Sequence, residues 1–184
     1  MGISGKKLIG AGLLAAFLVA CARPASAEII DRILAVIGGQ VLTKSDVDAA
    51  VALGLTDAGL DSLIDRVLML NEVRRVVPPE PSAASVDARL SVIRGRFDSP
   101  AALARVLSAS GIDEVVLRAY AADDLRLQSY LDERFSAASQ PTAEEVRQAG
   151  GEAARAKLAA DRRRSLVTAW VAELRRRADI TVLQ

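Results

Sequence analysis

Ile29-Ile30-Asp31-Arg32-Ile33-Leu34-Ala35-Val36-Ile37 is a β-branched, apolar run that stops at Gly38-Gly39, and Gln40-Val41-Leu42-Thr43 follows at once. Two short apolar runs around a glycine pair predict a tight hairpin, because glycine takes positive φ without steric cost. Beyond it the pattern turns helical. Thr43 or Ser45 caps a short helix through Asp46, Val47 and Asp48, since a hydroxyl can accept from the free amides of a first turn. Asp61–Val77 reads as a second helix, ended by Pro78-Pro79, because proline cannot continue the ladder. Residues 76–82 form a linker by composition.

Ser85–Phe97 reads as a third helix, and Ser99-Pro100 opens a fourth that closes at Gly111. Ile112-Asp113 starts a long helix to about Phe135, in which Val116, Tyr120, Leu127 and Leu131 share a face flanked by Leu117 and Phe135. Ser136–Gln140 reads as a loop, and Thr142-x-x-Glu145 is a capping box. Gly150-Gly151 interrupts that helix, and Glu152–Ala178 resumes with Ala156, Ala160, Val167, Trp170, Val171 and Leu174 on one stripe. Asp179–Leu183 is a short strand candidate. That strand needs a partner, and the hairpin supplies the available edge. The fold class is therefore mainly α: a helical bundle with a small β-hairpin near the N-terminus pairing with a short C-terminal strand.

Composition narrows the chemistry. The 184 residues hold 24 Lys+Arg, 23 Asp+Glu, one Cys, one Trp and no His. Without histidine there is no Ser-His-Asp triad, no Cys-His pair and no imidazole ligand for a metal. The apolar share is 51% with only 3% aromatics, mostly Ala, Leu and Val, which favours helices and excludes a disordered chain.

Residues 1–27 read as an export signal: Lys6 and Lys7, the apolar run Leu8–Ala22, then Ala25-Ser26-Ala27 as a cleavage site. Leu18-Val19-Ala20-Cys21 also resembles a bacterial lipobox, in which Cys21 would carry the lipid and anchor the protein to a membrane. Cleavage after Ala27 would remove three basic residues and no acid, moving the net charge from +1 to −2 and leaving no cysteine. Residues 28–184 then form one domain, with 28–140 as its body and 141–184 as a closing helix and strand.

Asp57, Asp61 and Asp65 form an i, i+4 ladder, and Asp123-Asp124 are adjacent. Paired acids can serve hydrolysis or metal binding, but no base, nucleophile or spaced ligand set converges on these. We expect no catalytic residue, no metal and no cofactor. Arg162-Arg163-Arg164 and Arg175-Arg176-Arg177 are basic clusters. They read as a solvated face that meets the acidic N-terminal region rather than as a nucleic-acid site, and Arg163, lying on the apolar stripe, must snorkel or pair.

The segments Asp31–Asp48, Leu63–Glu72, Leu125–Phe135, Pro141–Val146 and Ala169–Ile180, in that order, resemble the N-terminal chaperone module of SurA-like periplasmic proteins. The resemblance implies an ATP-independent holdase for unfolded or extended polypeptides, outer-membrane proteins above all. Many members insert a parvulin-type prolyl isomerase domain between the Glu-Glu-Val-like segment and the closing helix. Only Gln148–Arg155 lies there in this chain, so the isomerase is missing and no enzyme is expected. The rival reading is a structural or adaptor lipoprotein with one fixed partner.

Client-binding candidates follow from the helix over 61–77. Leu60, Leu63, Ile64 and Val67 define one apolar face, whereas Met69, Val73 and Val76 lie opposite. A helix apolar on two sides is either sandwiched or partly exposed for binding. Met adapts to varied partners, and Tyr120 and Tyr130 offer amphipathic contact area. For each of these five residues the alternative is ordinary core packing.

Overall fold

The computed structural model describes residues 31–57 and 59–183. Residues 1–27, expected to be an export signal, and with them Cys21, lie outside the described residues. The sheet has three strands, β1 (Ile33–Ile37), β2 (Gln40–Thr43) and β3 (Ile180–Val182), in the order β2-β1-β3. Gly38 and Gly39 make the two-residue turn, with φ of 53° and 87°. Two consecutive positive φ values suit the right-handed twist of a hairpin and are open to glycine at little cost. β3 arrives from the far end of the chain and pairs antiparallel with β1, Ala35 opposite Val182 and Ile37 opposite Ile180. The expected closure of the chain ends through one sheet is present.

Seven helices follow the hairpin: α1 (Lys44–Ala52), α2 (Gly59–Arg75), α3 (Ala83–Arg94), α4 (Pro100–Ala109), α5 (Glu114–Ser139), α6 (Ala143–Gln148) and α7 (Glu152–Arg177). Local chemistry sets most of their starts. Thr43, Ser82, Ser99, Asp113 and Thr142 each accept a first-turn amide through the side chain. At α1 and α6 the capping box is complete, Asp46 and Glu145 returning the bond to the N-cap amide. The second helix is offset from its expected span, starting at Gly59 and ending at Arg75, so Val76 and Val77 stand in the connector. The third also sits earlier, over 83–94. No helix among the described residues is long and apolar enough to cross a membrane.

Two expectations are corrected. Ser136–Ser139 belong to α5 instead of a loop, because Ser139 is buried and its hydroxyl donates to the Ser136 carbonyl within the last turn. On α7, Ala156 and Ala160 are exposed. A methyl group loses little when solvated, so an alanine stripe does not commit a face to the core. The packed stripe is Leu166, Val167, Trp170, Val171 and Leu174. On α5 the buried line runs through Leu117, Ala121, Asp124, Leu127 and Phe135, while Val116, Tyr120 and Leu131 are half-buried.

The main core lies between the sheet, α2, the end of α5 and α7, and includes Ala35, Ile37, Leu42, Ile64, Leu68 and Trp170. A second core joins α1, α3, α4 and the first half of α5 around Leu53, Leu90, Ile93 and Leu117. Trp170 is 8% exposed and stacks between Tyr130 and Phe135, with ring centroids 5.6 and 5.9 Å away. Arg134 lies over its ring at 5.5 Å, a distance at which the cation is attracted to the π face.

Among the described residues, the basic clusters form ion pairs with the acidic N-terminal region only through Arg163 and Arg175; the other arginines pair with acids within 141–184. Arg175 reaches Asp61 and Asp65 on α2, Arg163 reaches Asp132 on α5, and Arg176 and Arg177 share Glu173. Arg162 joins α7 to the α6 cap through Glu145 and donates to the Gln140 carbonyl at 2.9 Å.

Trp170→Ala should cost about 3–5 kcal/mol of stability, read by urea unfolding; near-wild-type stability would contradict its place in the core. The Thr142 amide and then the Arg162 guanidinium hold the Glu145 carboxyl down to about 2. A carboxyl depressed on folding stabilises above its ordinary range and releases that contribution as pH falls through its folded value. NMR titration should therefore place the Glu145 midpoint near 2, below the ordinary 4.5, and Thr142→Ala should raise it. A midpoint at the ordinary value would remove this cap from the account.

Candidate functional site

A concavity of about 180 Å³ lies between β2, α1, α2 and α5. Its apolar floor includes Leu42, Ala50, Leu63 and Val67. Polar groups stand along it: Asp46 from α1, Arg66 and Arg74 from α2, and Tyr120 and Asp123 from α5. A cavity of roughly 150 Å³ holds a benzene-sized group, so this groove accommodates one large apolar side chain.

The adjacent acids of α5 anchor its charges. Asp124 turns inward, is 5% exposed, and accepts from Arg66 Nη1 at 2.8 Å and from Gln128 Nε2 at 3.2 Å. Arg89 of α3 places Nε 2.7 Å from Asp124 Oδ2. Its N–H is not aimed at that oxygen, so the contact is ionic without a hydrogen bond. Arg66 Nη1 also donates to the Leu55 carbonyl at 3.2 Å. Asp123 turns toward the surface and takes Arg74 at 2.7 Å and Arg126 at 2.9 Å, and Arg126 reaches on to Glu80 in the 76–82 connector. Two neighbouring carboxylates thus tie α2, α3, α5 and the connector together. The acid pair is a structural hub.

Those pairings leave the groove locally neutral. Asp46 is occupied as well, since its Oδ2 accepts from the Thr43 amide and hydroxyl at 2.9 Å. Tyr120 differs. Its hydroxyl makes no hydrogen bond among the described residues, and it stands half-buried in the groove wall. Burial pushes it above its usual value, Asp46 and Asp123 push the same way, and Arg66 opposes them. It stays protonated and available as a donor near neutral pH.

The other candidates separate. Val73 is 1% exposed and packs with Leu70 and Leu127 in a small third core, against which Met69, Tyr130 and Leu131 also rest. The two apolar faces of α2 exist because the helix is sandwiched, with α7 on one side and α5 on the other. Val73 is core, and Met69 is half-buried beside it. Val76 is 55% exposed and lines a second, shallower cleft with Val77, Pro78, Pro79, Tyr130 and Arg134, of about 440 Å³. Val77 there holds a φ of 47°, a left-handed conformation costly for a β-branched residue. The five candidates therefore divide: Tyr120 in the first groove, Tyr130 and Val76 in the second cleft, Met69 and Val73 in packing.

Sequence reading noted the Asp123-Asp124 pair but missed the burial of Asp124, its partner Arg66 and the groove along β2. A signal existed. Arg66 interrupts the apolar run Leu63-Ile64-x-x-Val67, and Asp124 sits at helical spacing between Ala121 and Leu127; a charge on each of two apolar faces calls for a buried partner. Protein-family models yield no match to this chain, and no curated protein matches it.

Asp124→Ala should cost about 3–5 kcal/mol, because it strands two guanidinium groups in the interior. Asp123→Ala should cost less, about 1 kcal/mol, because Arg74 is exposed and Arg126 keeps Glu80 as a partner. Equal losses in urea unfolding would refute the division between a buried and a surface acid.

Proposed function

We propose that this chain is an exported, ATP-independent chaperone module that binds unfolded or extended polypeptides, outer-membrane proteins in transit among them. The observation that carries the reading is the groove beside β2: an apolar floor, charges already paired, and a tyrosine hydroxyl left over as a donor. Such a lining suits neutral peptide groups and one apolar side chain and gives little preference for a charged ligand. The ordered segments that resemble SurA-like modules support it, as does the exposed Val76-Val77-Pro78-Pro79 corner beside Tyr130. Tyr120, Tyr130 and Val76 are the client contacts in this reading, with Met69 lending adaptable packing behind them.

The reading is non-enzymatic. Prolyl isomerisation must overcome roughly 18–20 kcal/mol, and α6 is joined to α7 only through Ala149, Gly150 and Gly151, with no separate domain between them.

Protein comprising residues 28–184, at equimolar or excess concentration and without ATP, should slow the aggregation of a denatured outer-membrane protein diluted from urea. Tyr120→Ala should weaken that protection while circular dichroism stays unchanged. An aggregation rate that excess protein does not alter would sink the chaperone reading. In the same preparation, cis/trans exchange of a proline test peptide should run at its uncatalysed rate; saturable acceleration would bring back the isomerase reading.

A further inference from the structure

The two free edges of the sheet are not equivalent. In an antiparallel pair, residues alternate between pointing their N–H and C=O toward the partner and pointing them away. Across the two-residue turn, Ile37 and Gln40 form the inward pair, so Val41, opposite Val36, points its main-chain groups out of the sheet. Thr43, two residues on, has its amide taken by Asp46. The β2 edge therefore offers a single residue before the α1 cap closes it.

β3 is different. Gly38 N donates to Asp179 O at 3.0 Å and Leu183 N donates to Leu34 O at 2.9 Å. With Val36 opposite Thr181, the inward residues of this strand are Asp179, Thr181 and Leu183. Ile180 and Val182 accordingly present both main-chain groups to the outer edge, and no strand among the described residues pairs there. No proline, bulge or charged side chain guards Ile180-Thr181-Val182-Leu183; of the usual protections of an edge it has a short length, three residues. Val182 is 54% exposed. Its side chain shares a face with Ala35, and that of Ile180 with Ile37, so both stand on the core side of the sheet, and Thr181 stands on the other.

We propose that the outer edge of β3 receives a strand from an extended polypeptide, pairing main chain to main chain at Ile180 and Val182. The proposal rests on the chaperone reading and gives its client a pattern. Incoming residues opposite Ile180 and Val182 lie on their face and bury apolar side chains against them, whereas the residue between, beside Thr181, faces outward and is free to be polar. The partner is an amphipathic β-strand, apolar and polar in alternation, the pattern of strands that line a membrane barrel. Recognition through main-chain groups is indifferent to the identity of the side chains beyond that alternation.

The probe is a fluorescein-labelled peptide of alternating Val and Thr with lysines at its ends, followed by anisotropy against residues 28–184. Val182→Pro deletes an outward N–H and leaves the bonds to β1 in place, so proline is tolerable there. It should weaken peptide binding about tenfold with an unchanged urea midpoint. Thr181→Pro deletes an inward N–H and should lower the midpoint. A peptide N-methylated at every second residue should lose binding in one register and keep it in the other, a readout that needs no protein variant. Equal binding by Val182→Pro and by both methylated peptides, or no binding of the parent peptide, would overturn strand addition. If aggregation is suppressed all the same, the chaperone reading stands and the client lies elsewhere; if the unaltered chain suppresses nothing, the chaperone reading falls by itself.

Discussion

β1 is the strand on which the molecule depends. It is paired on both sides, with β2 through a two-residue turn and with β3 from the opposite end of the domain. A two-stranded hairpin alone is marginal in water, and a third strand with a packed face is what makes such a sheet persist. Ala35 and Ile37 supply that face and sit in the main core beside Trp170 and Leu174 of α7. Closing the sheet and seating the last helix are one event, because the helix delivers β3 and its tryptophan to the same place.

A second constraint ties α2 and α3 to α5. The buried carboxylate of Asp124 faces two guanidinium groups, from α2 and α3, so each helix is fixed relative to α5 by a charge that has no good alternative. A buried ion pair adds little net stability compared with apolar packing, yet it penalises every arrangement that separates the partners. That explains how a domain whose cores are built largely of Ala, Leu and Val, residues that repack easily, keeps a defined groove between α2 and α5. The groove wall and the charge hub are made by the same two helices.

Much of this was legible wherever the cause is local. The Gly38-Gly39 turn, the Thr43 and Thr142 caps and the strand after Asp179 all follow from side chains within a few residues of the feature they create. The errors came from longer range. Ala156 and Ala160 follow helical periodicity as neatly as Trp170 does, but whether a neighbour covers that stretch of α7 depends on how far the other helices extend. Val73 could face solvent or core on the evidence of its own helix, and only the position of α5 decides it. The partners of Arg66 and Asp124 lie on separate helices. Each looks anomalous on its own apolar face, and neither face says which anomaly answers which.

The route by which β3 reaches its place sets a timetable for the chain. The hairpin can form within roughly 1–10 μs of its residues being free. The strand that covers the other flank of β1 is made only after all seven helices. At synthesis rates of roughly 5–20 residues per second, that delay is on the order of ten seconds. Throughout it, an apolar strand stands with one flank bare, and neighbouring nascent chains can pair with it. Domain swapping, in which β3 of one molecule completes the sheet of another, is the failure such a schedule invites.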